Sequence, residues 1–126
     1  MVHELRSSLE AKNHINEKRL AGLAIANREN ANLWGYVKRL LSRIEDMSSP
    51  AISFAMVHYG EVLDMLEPSE IEIARKSVII KLYLDGTCIF EQEGVLGSRI
   101  NDETVLKRGI RETLKHRLVE IRFSPV

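Results

Sequence analysis

Cys88 and the four histidines, His3, His14, His58 and His116, are the side chains of this sequence best suited to nucleophilic, acid–base or metal chemistry. None of the histidines belongs to a close pair or to a His-Glu-x-x-His arrangement that would bring ligands onto one helical face, so no metal site is expected. Glu112, His116 and Glu120 recur at every fourth position on the face of a predicted helix opposite its apolar stripe, where such rows serve as solvated ion pairs. Glu10, His14 and Glu17 read the same way. Cys88 lies in a strand-like run without a nearby histidine or basic helix end to lower its pKa, so it is expected as a buried packing thiol. Ser53 and Ser98 lack the Gly-x-Ser-x-Gly setting of a nucleophile elbow, and Gly94-Val95-Leu96-Gly97 is too short for a phosphate loop. No catalytic residue and no cofactor follow from these residues.

The first third of the chain carries a heptad ladder. Asn13, Leu20, Asn27, Trp34 and Leu41 fall at a, and Leu9, Asn16, Leu23, Asn30, Val37 and Ile44 at d, which predicts a long helix facing another helix. Asparagine in such a seam sets register and oligomer number, because a buried amide must find a partner. Asn13, Asn16, Leu20, Leu23, Asn27, Asn30 and Trp34 are therefore the expected interaction residues, with Trp34 as anchor. The stretch Asn27-Arg28-Glu29-Asn30 is a weak helix former, so residues 1–47 read as one helix or a helix pair.

Ser49 and Pro50 predict a helix start, and Ile52, Met56, Tyr59, Leu63 and Leu66 predict a helix over 50–66. Ser69 and Glu72 suit a capping box for a short helix. From Ser77 the period changes to that of strands. Val78 to Leu84 and Thr87 to Phe90 flank Asp85-Gly86, predicting a β-hairpin over 77–93. Asn101 is the expected cap of a helix over 101–122 with Leu106, Ile110, Leu114, Leu118 and Ile121 as its apolar stripe, ending at Pro125. A lone hairpin is marginal in water, so this helix is expected to cover it. The fold class that follows is α+β, one domain over residues 1–126.

Lys107, Arg108, Arg111, Lys115 and Arg122 share a flank of the last helix and suit contact with nucleic acid. Glu61, Asp64, Glu67, Glu70 and Glu72 form an acidic stretch that would neutralise them by pairing. The order helix, helix, short helix, hairpin resembles the outline of a winged helix-turn-helix. That resemblance implies the hairpin as wing and Ser69 to Lys76 as recognition helix, where Glu70 and Glu72 stand in place of Arg, Asn or Gln.

Eighteen basic and eighteen acidic residues cancel, excluding a strong whole-molecule field. With 126 residues, 44% of them apolar, the chain can build a core without staples. A single cysteine, a start without an apolar leader and no apolar run of about 20 residues point to the cytoplasm and to no membrane contact. The expected function is that of a small non-enzymatic interaction protein, a homodimeric regulator, inhibitor or assembly adaptor. Its expected partners are a second copy and another protein. The alternatives are a nucleic-acid-binding regulator and an enzyme whose site forms across subunits from residues such as His58, Tyr59, Glu61 and His116.

Overall fold

The computed structural model describes residues 1–124. Strands lead. β1 (His3–Leu5) precedes α1 (Ser8–Glu17), β2 (Leu20–Ala26) and α2 (Ala31–Met47). β3 (Ser48–Ser49), β4 (Ser53–His58) and α3 (Pro68–Lys76) follow, then β5 (Val78–Leu84), β6 (Thr87–Glu93), α4 (Arg99–Lys115) and β7 (Arg122–Phe123).

The helix or helix pair predicted over residues 1–47 is replaced by β1-α1-β2-α2. Leu20-Ala21-Gly22-Leu23-Ala24-Ile25-Ala26 is buried along its whole length. An apolar run of this length, covered on both faces, is the mark of an interior strand. Ser7 caps α1 by accepting from the Glu10 N–H (3.1 Å), and Asn30 caps α2 by accepting from the Leu33 N–H (3.3 Å). The seven-residue spacing of the ladder thus links two helices across a strand and defines no seam.

The helix predicted over 50–66 is β4 followed by 3-10 turns at Tyr59–Glu61 and Leu63–Met65. Phe54 to Val57 are buried and pair in parallel with β2, and Ala55 to Val57 also with β1, so contiguous burial outweighs a helical period met by chance. Glu67, and not Ser69, caps α3. It exchanges bonds with Glu70, and Pro68 takes the first helical position.

Asp85 (φ 49°) and Gly86 (φ 86°) turn the chain between β5 and β6. Both residues are left-handed, as a two-residue turn of this kind requires. The two strands are no isolated hairpin, because β5 also runs antiparallel to β2 along its whole length. The result is a five-stranded mixed sheet in the order β1-β4-β2-β5-β6, with β3 and β7 pairing separately.

The connection β1-α1-β2 passes over β4, and β2-α2-β4 returns. Right-handed crossovers in opposite directions place their helices on opposite faces. Accordingly α2 and α4 cover one face, with Val37, Leu41, Ile44, Leu106, Ile110 and Leu114 against Phe54, Met56, Ile80 and Leu82. α1 and α3 cover the other, with Ala11, Ile15 and Ala74 against Leu23, Ile25, Val57 and Ile79. The last helix spans Arg99–Lys115 and not 101–122, starts after Ser98, and shares its sheet face with α2. Its expected stop at Pro125 lies outside the described residues. The α+β layout of leading helices and a helix laid on a hairpin is therefore corrected to a helix–sheet–helix sandwich.

Candidate functional site

In open α/β sheets ligands meet the carboxyl ends of the parallel strands where the strand order reverses. Here those ends are Leu5, His58 and Ala26. Arg28 sits at their meeting point, in the loop that the Asn30 cap closes onto α2. Its backbone N–H donates to His58 Nδ1 (3.0 Å), which leaves Nε2 as the proton-bearing nitrogen of the neutral ring. The guanidinium pairs with Glu61 (2.5 Å), donates to the Leu5 carbonyl (3.3 Å) and lies 5.0 Å from the Trp34 ring centroid. Trp34 Nε1 donates to Glu4 (3.2 Å), and Lys38 pairs with the same carboxylate (2.7 Å). The Lys38 bond, outweighing partial burial, holds the Glu4 carboxyl below its usual range. Arg28 Nε and Glu61 Oε2 are sealed from solvent without a partner among the described residues.

This mesh is a closed set of ion pairs without a nucleophile. Cys-x-x-Cys chemistry draws on two sulfurs, with a helix N-terminus helping to lower a thiol's pKa. α2 begins with Asn30, Ala31, Asn32 and Leu33, and Cys88 is the single cysteine. That thiol lies on β6, the strand at the far edge of the sheet, opposite Tyr83 of β5. Cys88 is exposed and not the buried residue expected, on a strand that pairs along one side alone. Partial burial of the sulfur still pushes the thiol up, against the opposing pull of Lys81 and of a contact with the Phe90 carbonyl.

The residues expected to interact are dispersed. Asn13 and Asn16 are exposed on α1, and Leu20 and Leu23 are buried inside β2. Asn27 bridges the loop to the Arg75 carbonyl (3.4 Å), Asn30 is a cap, and Trp34 covers Arg28. Of the basic flank, Lys107, Arg108, Arg111 and Lys115 lie on α4, and Arg122 lies on β7 beside Glu120 (3.5 Å). The row Glu112, His116, Glu120 breaks up because α4 ends at Lys115. His14 faces inward and not toward Glu10 and Glu17 in solvent: its Nε2 lies 3.1 Å from the Gly22 carbonyl and 2.9 Å from that of Ser53. Among the described residues no three His, Cys, Asp or Glu side chains converge as metal ligands would.

His58, Tyr59 and Glu61 do meet at one strand end, while His116 lies apart beside Ile89, Thr113 and Arg117. Arg28, the centre of that end, escaped the sequence reading. The signal was present in the pairing of a continuous apolar run with the Asn27–Asn30 break that follows it.

No protein-family model and no curated protein matches the chain. Solved structures do. Oxidised thioredoxin from Plasmodium falciparum aligns at 16% identity over 86% of this chain and 99% of that one, with a TM-score of 0.64. A structure describing the thiol resolving mechanism in yeast mitochondrial 1-Cys peroxiredoxin via glutathione/thioredoxin systems aligns at 17% identity over 88% and 94%, TM-score 0.64. Thioredoxin from Trypanosoma brucei brucei aligns at 15% over 91% and 92%, TM-score 0.62.

These findings overturn the reading as a homodimeric, coiled-coil-like interaction protein or regulator, together with its nucleic-acid-binding alternative. Part of the predicted dimer seam is an interior strand, and the predicted hairpin wing belongs to a thioredoxin-like sheet. Among the described residues no helix is long and apolar enough to cross a membrane. At these identities the likeness is one of architecture, and the chain has a thioredoxin-like fold: a central mixed sheet of five strands between helices.

Proposed function

We propose that the protein works in thiol–disulfide chemistry as a thioredoxin-fold protein with one thiol. The observation that carries this reading is the exposure of Cys88 on the free edge strand β6, in a sheet of the kind found in proteins named thioredoxins. Fold alone does not assign function, so the weight rests on the thiol. The Cys88 thiolate attacks one sulfur of a disulfide R–S–S–R′. The Cys88–S–S–R bond forms, the S–S bond breaks, and R′S⁻ leaves with the electron pair and takes up the proton that Cys88 released. Cys88 is thereby oxidised and R′ reduced. A thiol supplied from outside completes the cycle, since the chain has no second cysteine.

The raised thiol pKa has two consequences. Less thiolate is present at neutral pH, which slows attack. Cys88 is also a poorer leaving group, so its release from the mixed disulfide by the outside thiol is slowed as well. An unpaired thiol of this type persists in a reducing compartment, which fits the cytoplasm. Exchange of a chromogenic disulfide with glutathione should be accelerated by the native chain, increasingly so as pH rises above the usual thiol range. Cys88→Ser should abolish the acceleration. Equal rates for the native chain and Cys88→Ser would overturn the reading.

A further inference from the structure

α4 does not stop at a glycine. The Leu118 N–H donates to the Lys115 carbonyl (3.1 Å) and the Val119 N–H to the Leu114 carbonyl (2.9 Å), the paired bonds that close a helix through one left-handed residue. That residue is Leu118, at φ 60°, where glycine is the usual occupant because a Cβ is disfavoured. Its side chain is 96% exposed. A leucine here has neither an easy backbone conformation nor any burial within the chain, so the fold itself gives no reason for it.

Its surroundings are cationic. Between residues 107 and 122 stand six basic residues, Lys107, Arg108, Arg111, Lys115, Arg117 and Arg122, against two carboxylates, Glu112 and Glu120. Of the two, Glu120 is the one paired with a cation of the set, Arg122. Arg111, Lys115 and Arg117 are exposed around Leu118. Arg111 and Lys115 also rim a shallow cavity of roughly 460 Å³ whose other walls are Leu118, Val119, Ile121 and one carboxylate, Glu120.

We propose that this end of α4 docks on an anionic lipid bilayer, with Leu118 entering the interface and the cations meeting the headgroups. Positive charge and a protruding aliphatic side chain together match a charged amphiphilic surface. A nucleic-acid backbone would use the cations but would gain nothing from Leu118; of the rings nearby, Phe123 is half-buried beneath Arg111, which leaves the His116 imidazole as the exposed one. The proposal is independent of the thiol chemistry. It also departs from the sequence expectation of no membrane contact, because the left-handed position of Leu118 is set by where α4 ends.

The test is co-sedimentation with vesicles of phosphatidylcholine alone and of phosphatidylcholine containing phosphatidylserine. Binding is expected for the second composition, falling with salt. Leu118→Gly relieves the backbone and should leave the melting temperature unchanged or higher while weakening vesicle binding several-fold, which separates a docking role from a folding role. The double variant Lys115→Glu, Arg117→Glu should lose binding. No binding to the phosphatidylserine vesicles would overturn the proposal. So would binding that Leu118→Gly leaves intact and that heparin or single-stranded RNA reproduces equally well, since that marks a general polyanion patch.

Discussion

His14 is the buried titratable side chain through which α1 reaches the sheet. At 7% exposure its Nε2 lies between the carbonyls of Gly22 on β2 and Ser53 on β4, so one imidazole ties a helix to two strands. Burial lowers its pKa, with the carbonyl contacts opposing and His3 and Lys18 adding to the fall. The unfolded chain therefore binds a proton more readily than the folded one. Stability contributed by neutral His14 is complete above the ordinary value near 6.5 and is lost as pH falls through that value toward the folded one. Melting curves between neutral and mildly acidic pH should show this loss in the native chain and a flatter profile in His14→Gln. His14→Ala should cost about 1–3 kcal/mol at neutral pH by leaving the carbonyls one partner short. From sequence, His14 reads as a solvated neighbour of Glu10 and Glu17. The helical period supports that face as well as its opposite until the position of the sheet is known.

At the scale of elements, β2 and β4 approach each other over a glycine that the sequence alone does not single out. A Cβ on Gly22 would lie 2.1 and 2.3 Å from two atoms of the Phe54 ring, which is fully buried and has nowhere to move. Gly22→Ala should destabilise the fold by about 1–3 kcal/mol in denaturant titrations, and Phe54→Leu in the same chain should restore part of the loss. Gly109→Ala on α4 meets Phe90 of β6 at 2.5 Å, but that ring is only half-buried and can swing away, so a smaller cost is expected. Asp102 shows a similar economy at the start of α4. It is 1% exposed, accepts from the Leu96 (2.7 Å) and Gly97 (3.0 Å) N–H groups, and receives the Tyr36 hydroxyl from α2. Burial, with help from that bond, pushes the Tyr36 hydroxyl up to about 12. In the sequence Asp102 is one more polar residue near the start of a predicted helix. Its part in tying α2 to the Gly94–Ser98 loop depends on two helices lying side by side.

For the molecule as a whole, sheet order sets where stability is concentrated. β4, β2 and β5 are interior strands, each hydrogen-bonded on two sides and covered by helices on both faces, whereas β1 and β6 each have one open edge. Amide hydrogen exchange should be slowest in residues 53–58, 20–26 and 78–84, and faster along β1, β6 and the short β3–β7 pair. Uniform protection across the five strands, or early exchange in β2, would contradict the topology. The same order accounts for the distance between Cys88 and the strand ends at Leu5, His58 and Ala26. Thiol and ion-pair mesh lie on different strands, so a substitution at Arg28 should leave the reactivity of Cys88 unchanged.

The sequence by itself determined what is local. The Asp85-Gly86 turn with its apolar flanks and the apolar stripe Leu106, Ile110 and Leu114 of α4 follow from conformational preference and spacing over a few residues. The single cysteine rules out an internal dithiol by count. Tertiary structure decided the rest, because a short apolar run such as Leu20–Ala26 or Phe54–Val57 satisfies a helical period and a buried strand equally well. Only parallel pairing between segments about thirty residues apart resolves that ambiguity. Pairing buries both faces of the run at once, which a surface helix does not do. It also brings Arg28, His58 and Glu61 together, and it leaves Cys88 on an edge and Leu118 beyond the last helix in solvent.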